Sequence, residues 1–141
     1  MRNPWDRVIS IKSFGATRPS TPGYDVCKNG TLTEFLAFWE STGFQQQYDM
    51  LSDPETGEII VNKIGRFETL AEDFREICRQ LGIACDLPHK NASRHKDYRS
   101  YFSDAEREAV ARLYAKDIEK FGYSFDGAFE TDQANPANEM A

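Results

Sequence analysis

Apolar positions follow two rhythms along this chain. Around its middle, Ile59, Ile60, Val61 and Ile64 form a short β-branched run of the kind found in a strand covered on both faces. The next stretch changes period. Leu70, Phe74, Ile77, Cys78 and Leu81 recur at helical spacing. Thr69 and Glu72 have the T-x-x-E spacing of a capping box, and Gly82 suits the left-handed position after a helix end. The pattern predicts a strand, a corner and an amphipathic helix that the rest of the chain must cover.

Helical spacing returns three more times. Asn3-Pro4 reads as a cap and first-turn proline, with Asp6 favourably placed in that turn and Trp5, Val8 and Ile9 as the buried face up to Gly15. Thr31 and Glu34 open a second helix, which buries Leu32, Phe35, Leu36 and Trp39 and ends near Gly43. Ser103 and Glu106 open a third, with Val110, Leu113, Tyr114, Ile118 and Phe121 on one face and Gly122 as its stop. Residues 16–30 and 84–102 read as irregular segments. An extended piece around Tyr48–Leu51 and a turn at Asp53-Pro54-Glu55-Thr56-Gly57 predict a two-stranded ribbon with the central strand. Residues 1–125 form one domain, and the acidic, apolar-poor residues 126–141 are expected to be disordered.

Composition adds little until it is divided. With 40% hydrophobic and 28% charged residues in a chain of 141, the protein is of ordinary globular type. No window holds the roughly 18 apolar residues of a membrane span, and the opening MRNPWDRVIS has no apolar core of signal-peptide length. Cys27, Cys78 and Cys85 include no C-x-x-C pair, and Cys78 on its apolar helix face reads as a core residue. His89 and His95 have no cysteine at ligand spacing, which argues against structural zinc. The net charge is −6, yet residues 2–18 carry +3 and residues 88–99 carry +3, leaving −12 elsewhere. Two small basic islands in an acidic chain argue against nucleic acid, and for a compact anion such as a nucleotide phosphate.

Four blocks carry a resemblance: RNPWDRVIS, VNKIGRFETLAEDF, LPHKNAS and YRSYFSDAEREAVARLYAKDIEKFGYSF. In that order, from Arg2 to about Phe125, the chain resembles the C-terminal portion of sulfotransferase family 2, the carbohydrate-type sulfotransferases. The resemblance implies an α/β fold: a truncated P-loop, nucleotide-kinase-like sulfotransferase fold, mostly helical, with one short strand or a two-stranded ribbon. It also implies transfer of a sulfuryl group from 3′-phosphoadenosine 5′-phosphosulfate to a hydroxyl of a carbohydrate, with no metal. The family pattern R-x-P-x-x-R-x-x-S, whose arginine and serine bind the 3′-phosphate in relatives, falls on Arg2, Pro4, Arg7 and Ser10, and the resemblance implies that role for Arg2 and Ser10. Phe67 stands where relatives place an aromatic residue near the adenine. The resemblance places Arg94 and Lys96 in the stretch that matches the loop closing over the nucleotide in the family, which makes them its candidate phosphate contacts.

The departure from the family is as informative. The 5′-phosphosulfate loop, its lysine, the first sheet strands and the base that takes the acceptor's proton lie upstream in relatives and have no counterpart in these residues. No catalytic residue is assigned, and the chain alone is expected to be inactive. Two other readings follow. One is a non-catalytic remnant that binds adenosine 3′,5′-bisphosphate or a sulfated glycan. The other is a small helical interaction module whose uncovered sheet edge offers a route to self-association. Eukaryotic relatives are anchored in the Golgi through N-terminal segments and bacterial ones are commonly soluble, so localisation stays open.

Overall fold

The structure is a computed structural model that describes residues 1–88 and 95–127. Arg94 and residues 128–141 of the expected disordered tail lie outside the described residues. Helix accounts for 57% of the described residues, and the strand content is a single isolated bridge, so the architecture is helical.

Seven α-helices are described: α1 Pro4–Gly15, α2 Tyr24–Asn29, α3 Leu32–Ser41, α4 Gln47–Leu51, α5 Leu70–Leu81, α6 Asp104–Leu113 and α7 Ala115–Phe121. The caps explain most of their boundaries. Asn3 accepts from the N–H groups of Trp5 and Asp6 to start α1. Reciprocal capping boxes start α3 (Thr31 with Glu34) and α6 (Ser103 with Glu106), as the sequence predicts. Gly82 and Gly122 take left-handed conformations after α5 and α7, at φ 67° and 69°.

The main core joins α1, α2, α3 and α6 through Trp5, Val8, Cys27, Phe35, Leu36, Val110 and Tyr114. Stacked rings extend it. Trp39 lies between Phe35 and Phe44, and its indole N–H donates to the Tyr114 hydroxyl at 2.9 Å. A smaller core joins Ile59 and Ile64 to Phe121 and Tyr123.

The departures from the predicted elements have local causes. The central strand is reduced to one antiparallel bridge, Ser52 with Ile59, flanked by Asp53 N–H to Glu58 O (2.8 Å) and Ile60 N–H to Leu51 O (3.0 Å). Ile59 and Ile64 are buried while Ile60 is 65% exposed, so this segment is covered on one face only. Tyr48–Leu51, expected as extended, belongs to α4, and α2 occupies part of the stretch expected as loop. The Thr69–Glu72 box does not form. A 3-10 turn at Phe67–Thr69 removes Thr69 from the extended conformation a cap needs, and its hydroxyl donates instead to Asp73 Oδ2 at 2.9 Å.

The last helix divides at Tyr114. Gln46 Oε1 accepts from the N–H groups of Lys116 (2.9 Å) and Asp117 (3.3 Å), taking them from the preceding turn. Asp117 returns the service to α4: its carboxylate accepts from the backbone N–H of Gln47 (3.0 Å) and of Tyr48 (2.7 Å). The start of α4 is therefore capped by a side chain of α7, and the start of α7 by Gln46, the residue just ahead of α4.

Cys78, expected as a core residue, is buried and also bonded to Cys85 in a disulfide that ties the end of α5 to the segment after it, seven residues on. Closing so short a loop restricts the unfolded chain by about 2 kcal/mol. Replacing Cys85 by serine is expected to lower the urea-unfolding free energy by about that amount. A variant as stable as the parent under oxidising conditions would show that the crosslink adds nothing.

Candidate functional site

The site begins with how the first three residues are held. The Met1 ammonium donates to Gly65 O and the Phe67 N–H donates to Met1 O, both at 2.6 Å. That pair of bonds, from residue 1 to residues on either side of 66, is the pattern of a parallel strand pair at a single position. Burial pushes the Met1 amine below its usual range, with Arg66 and Arg7 pushing the same way against Glu68 and Asp73. Gln47 clasps the next residue on both sides: its Oε1 accepts from Arg2 N–H and its Nε2 donates to Arg2 O, each at 2.8 Å. The Asn3 N–H donates to Glu68 Oε1 at 2.6 Å. The backbone that carries Arg2 is thus fixed before its side chain does anything.

From that base the Arg2 guanidinium reaches three partners. Its Nε donates to Asp6 Oδ2 at 2.7 Å, its Nη1 donates to Ser10 Oγ at 3.0 Å, and its plane lies 3.9 Å from the centre of the Phe67 ring. Asp6 and Ser10 are four residues apart on α1 and so share a face. Nη2 of Arg2 has no partner among the described residues. Phe67 gives one ring face to the guanidinium and remains 46% exposed.

His95 closes one side. Its Nε2 lies 3.9 Å from Asp6 Oδ1, its ring edge meets Tyr101, and its side chain is 11% exposed. Beyond Ser10, a cavity of about 370 Å³ runs along α1, lined by Ile9, Lys12, Ser13 and Tyr101 among others. A guanidinium held at one nitrogen by a carboxylate and at another by a hydroxyl presents a planar donor array to a tetrahedral oxyanion.

The structure brings together Arg2, Ser10 and Phe67. It does not bring Arg7 to them: one residue past Asp6, about 100° round the helix, Arg7 points towards the Tyr114 ring at 5.9 Å. Lys96 is exposed, its backbone N–H donating to the Tyr101 hydroxyl at 3.2 Å. Arg94 lies outside the described residues. Sequence reasoning missed Asp6 as a partner of Arg2, although a four-residue spacing of opposite charges was a readable signal. His95 and Gln47 gave no comparable signal, because their contacts come from segments distant in sequence. Among the described residues, no group of three or more His, Cys, Asp or Glu side chains could hold a metal. None of the helices described is long and apolar enough to cross a membrane.

Fold and site together define a helical protein whose first helix opens on a buttressed arginine, ion-paired with Asp6. In comparisons with known proteins, no family model, no curated protein and no solved structure matches the chain.

Proposed function

We propose that this chain is the 3′-phosphate-binding portion of a sulfotransferase that moves a sulfuryl group from 3′-phosphoadenosine 5′-phosphosulfate to a carbohydrate hydroxyl. The observation that carries the reading is the meeting of Arg2 and Ser10, eight residues apart, at 3.0 Å. Nothing in helical periodicity requires an arginine ahead of α1 to reach that serine; the fixed backbone of Met1–Asn3 does it. The parallel pairing of Met1 with the segment at Arg66 also suits the edge of a parallel sheet, as in the nucleotide-kinase-like fold.

In this reading the 3′-phosphate takes the Arg2 fork and the Ser10 hydroxyl. A dianion competes for the guanidinium more strongly than the single charge of Asp6 does. The adenine lies against the exposed part of Phe67, where stacking on an aromatic ring contributes about 1–3 kcal/mol. Arg94 and Lys96 supply further positive charge from the following loop. Sulfuryl transfer also needs a base at the acceptor hydroxyl and a cation at the leaving oxygen, and neither role is given to a residue of this chain.

Titration calorimetry with adenosine 3′,5′-bisphosphate tests the reading. One site with sub-millimolar affinity is expected, and at least about tenfold weaker binding of adenosine 5′-monophosphate, which lacks the 3′-phosphate. Absence of heat at millimolar bisphosphate would remove the proposal.

A further inference from the structure

Three residues in a row share one proton-sensitive arrangement: Arg2 is bonded to Asp6, and Asp6 faces His95. All three side chains are largely shielded from solvent, at 19%, 17% and 11% exposure. The two contacts differ in kind. Asp6 Oδ2 receives a hydrogen bond from Arg2 Nε at 2.7 Å, whereas Asp6 Oδ1 stands 3.9 Å from His95 Nε2, about an ångström too far for one. The imidazole is therefore within a small movement of the carboxylate without being bound to it.

We infer that His95 is a positioning residue of the anion site: once protonated it draws Asp6 from Arg2, and the freed Arg2 fork, with Ser10, takes a tetrahedral dianion. The inference rests on the reading of Arg2 and Ser10 as a phosphate cradle, and assigns that cradle its control. The charge balance gives the direction. With neutral imidazole, Arg2 and Asp6 cancel and a dianion meets no net positive charge. With imidazolium the cluster carries one positive charge, and Asp6 has a new partner. Imidazoles in general gain their proton between about pH 8 and 5, while carboxylates in general remain charged there. Anion affinity therefore rises as pH falls through that range.

Among the described residues, the neighbours of the ring leave this sign unchanged. Tyr101 meets it edge-on, and Tyr98, which senses the charge of Asp6, stays neutral because burial raises its hydroxyl further above the range. Lys96 follows His95 in the chain and is exposed, and Asp97 is paired with Arg99 at 2.8 Å. On the other side of the ring contact, Nδ1 of His95 lies 2.7 Å from Lys96 O, an acceptor that holds the proton on Nδ1 and leaves Nε2 to gain the second proton, facing Asp6.

Sulfate is the probe, because its charge is constant across this range and any slope belongs to the protein. Calorimetric titration with sodium sulfate at fixed ionic strength should give at least about tenfold tighter binding near pH 5.5 than near pH 8. His95→Gln should bind at both pH values with the weak affinity of the parent at high pH. Asp6→Asn should bind tightly at both. Reciprocally, saturating sulfate should raise the midpoint of the His95 ring titration followed by NMR in the unaltered protein, a readout that needs no variant to fold. Sulfate binding with no pH slope, a slope that persists in His95→Gln, an unmoved His95 midpoint, or no sulfate binding at all each overturns the inference. The outcomes separate it from the nucleotide reading. Bisphosphate binding without a pH slope removes only the role of His95, and sulfate binding with the slope but no bisphosphate binding removes only the nucleotide.

Discussion

Asp117→Ala is expected to lower the free energy of unfolding by about 3–5 kcal/mol, the largest loss from any single side chain described above. Asp117 is fully buried, and its carboxylate accepts from Gln47 N–H, Gln47 Nε2 and Tyr48 N–H at 3.0, 3.1 and 2.7 Å. Alanine leaves those donors in the interior without an acceptor, and each such group costs about 1–3 kcal/mol before relaxation. Asp117→Asn keeps the shape and one acceptor and should cost clearly less. Urea unfolding followed by circular dichroism measures both. A loss below about 1 kcal/mol for the alanine variant would mean that the cap is dispensable. The effect should also reach the site, because Gln47 is the residue that clasps Arg2 from both sides.

Arg2→Ala is expected to weaken adenosine 3′,5′-bisphosphate about 100-fold, which corresponds to about 2.7 kcal/mol. The guanidinium combines a hydrogen bond to Ser10, an aromatic face beneath it and a nitrogen with no partner among the described residues. Arg2→Lys keeps the charge but loses the planar fork, and should fall between the two. Because Arg2 also bonds Asp6, the unfolding free energy of each variant must be measured beside its affinity. An alanine variant that binds as tightly as the parent would place the anion elsewhere.

The sequence made some parts of this structure legible and hid others for physical reasons. Caps that lie three residues from their partners were readable. Thr31 with Glu34 and Ser103 with Glu106 do what their spacing says. Thr69 with Glu72 has the same spacing and fails, because the 3-10 turn before it changes the backbone at Thr69. The break at Tyr114 was invisible for the opposite reason. Its cause is Gln46, about 70 residues away, and no local pattern marks a glutamine that will cap another helix. The apolar run at Ile59–Ile64 overstated the strand, since a ladder needs neighbours and this segment has one bridge, Ile59 with Ser52, while the pairing with Met1 lies just beyond it at Gly65 and Phe67. The core accordingly centres on α1, α3 and α6 rather than on that run. At the site, the spacing of Arg2 and Ser10 was legible, whereas the turn of Arg7 towards Tyr114 follows only from the actual helix phase.

The capping between α4 and α7 bears on the order in which the chain can acquire its shape. A five-residue helix has no independent existence in water, and the acceptors that α4 requires arrive at residue 117, late in synthesis from the ribosome. Until then the clasp on Arg2 has no anchor, so the backbone at Arg2 must wait for α7. The amide protons of Gln47 and Tyr48 accordingly serve as timers: pulse-labelled during refolding, they become protected only when α7 docks.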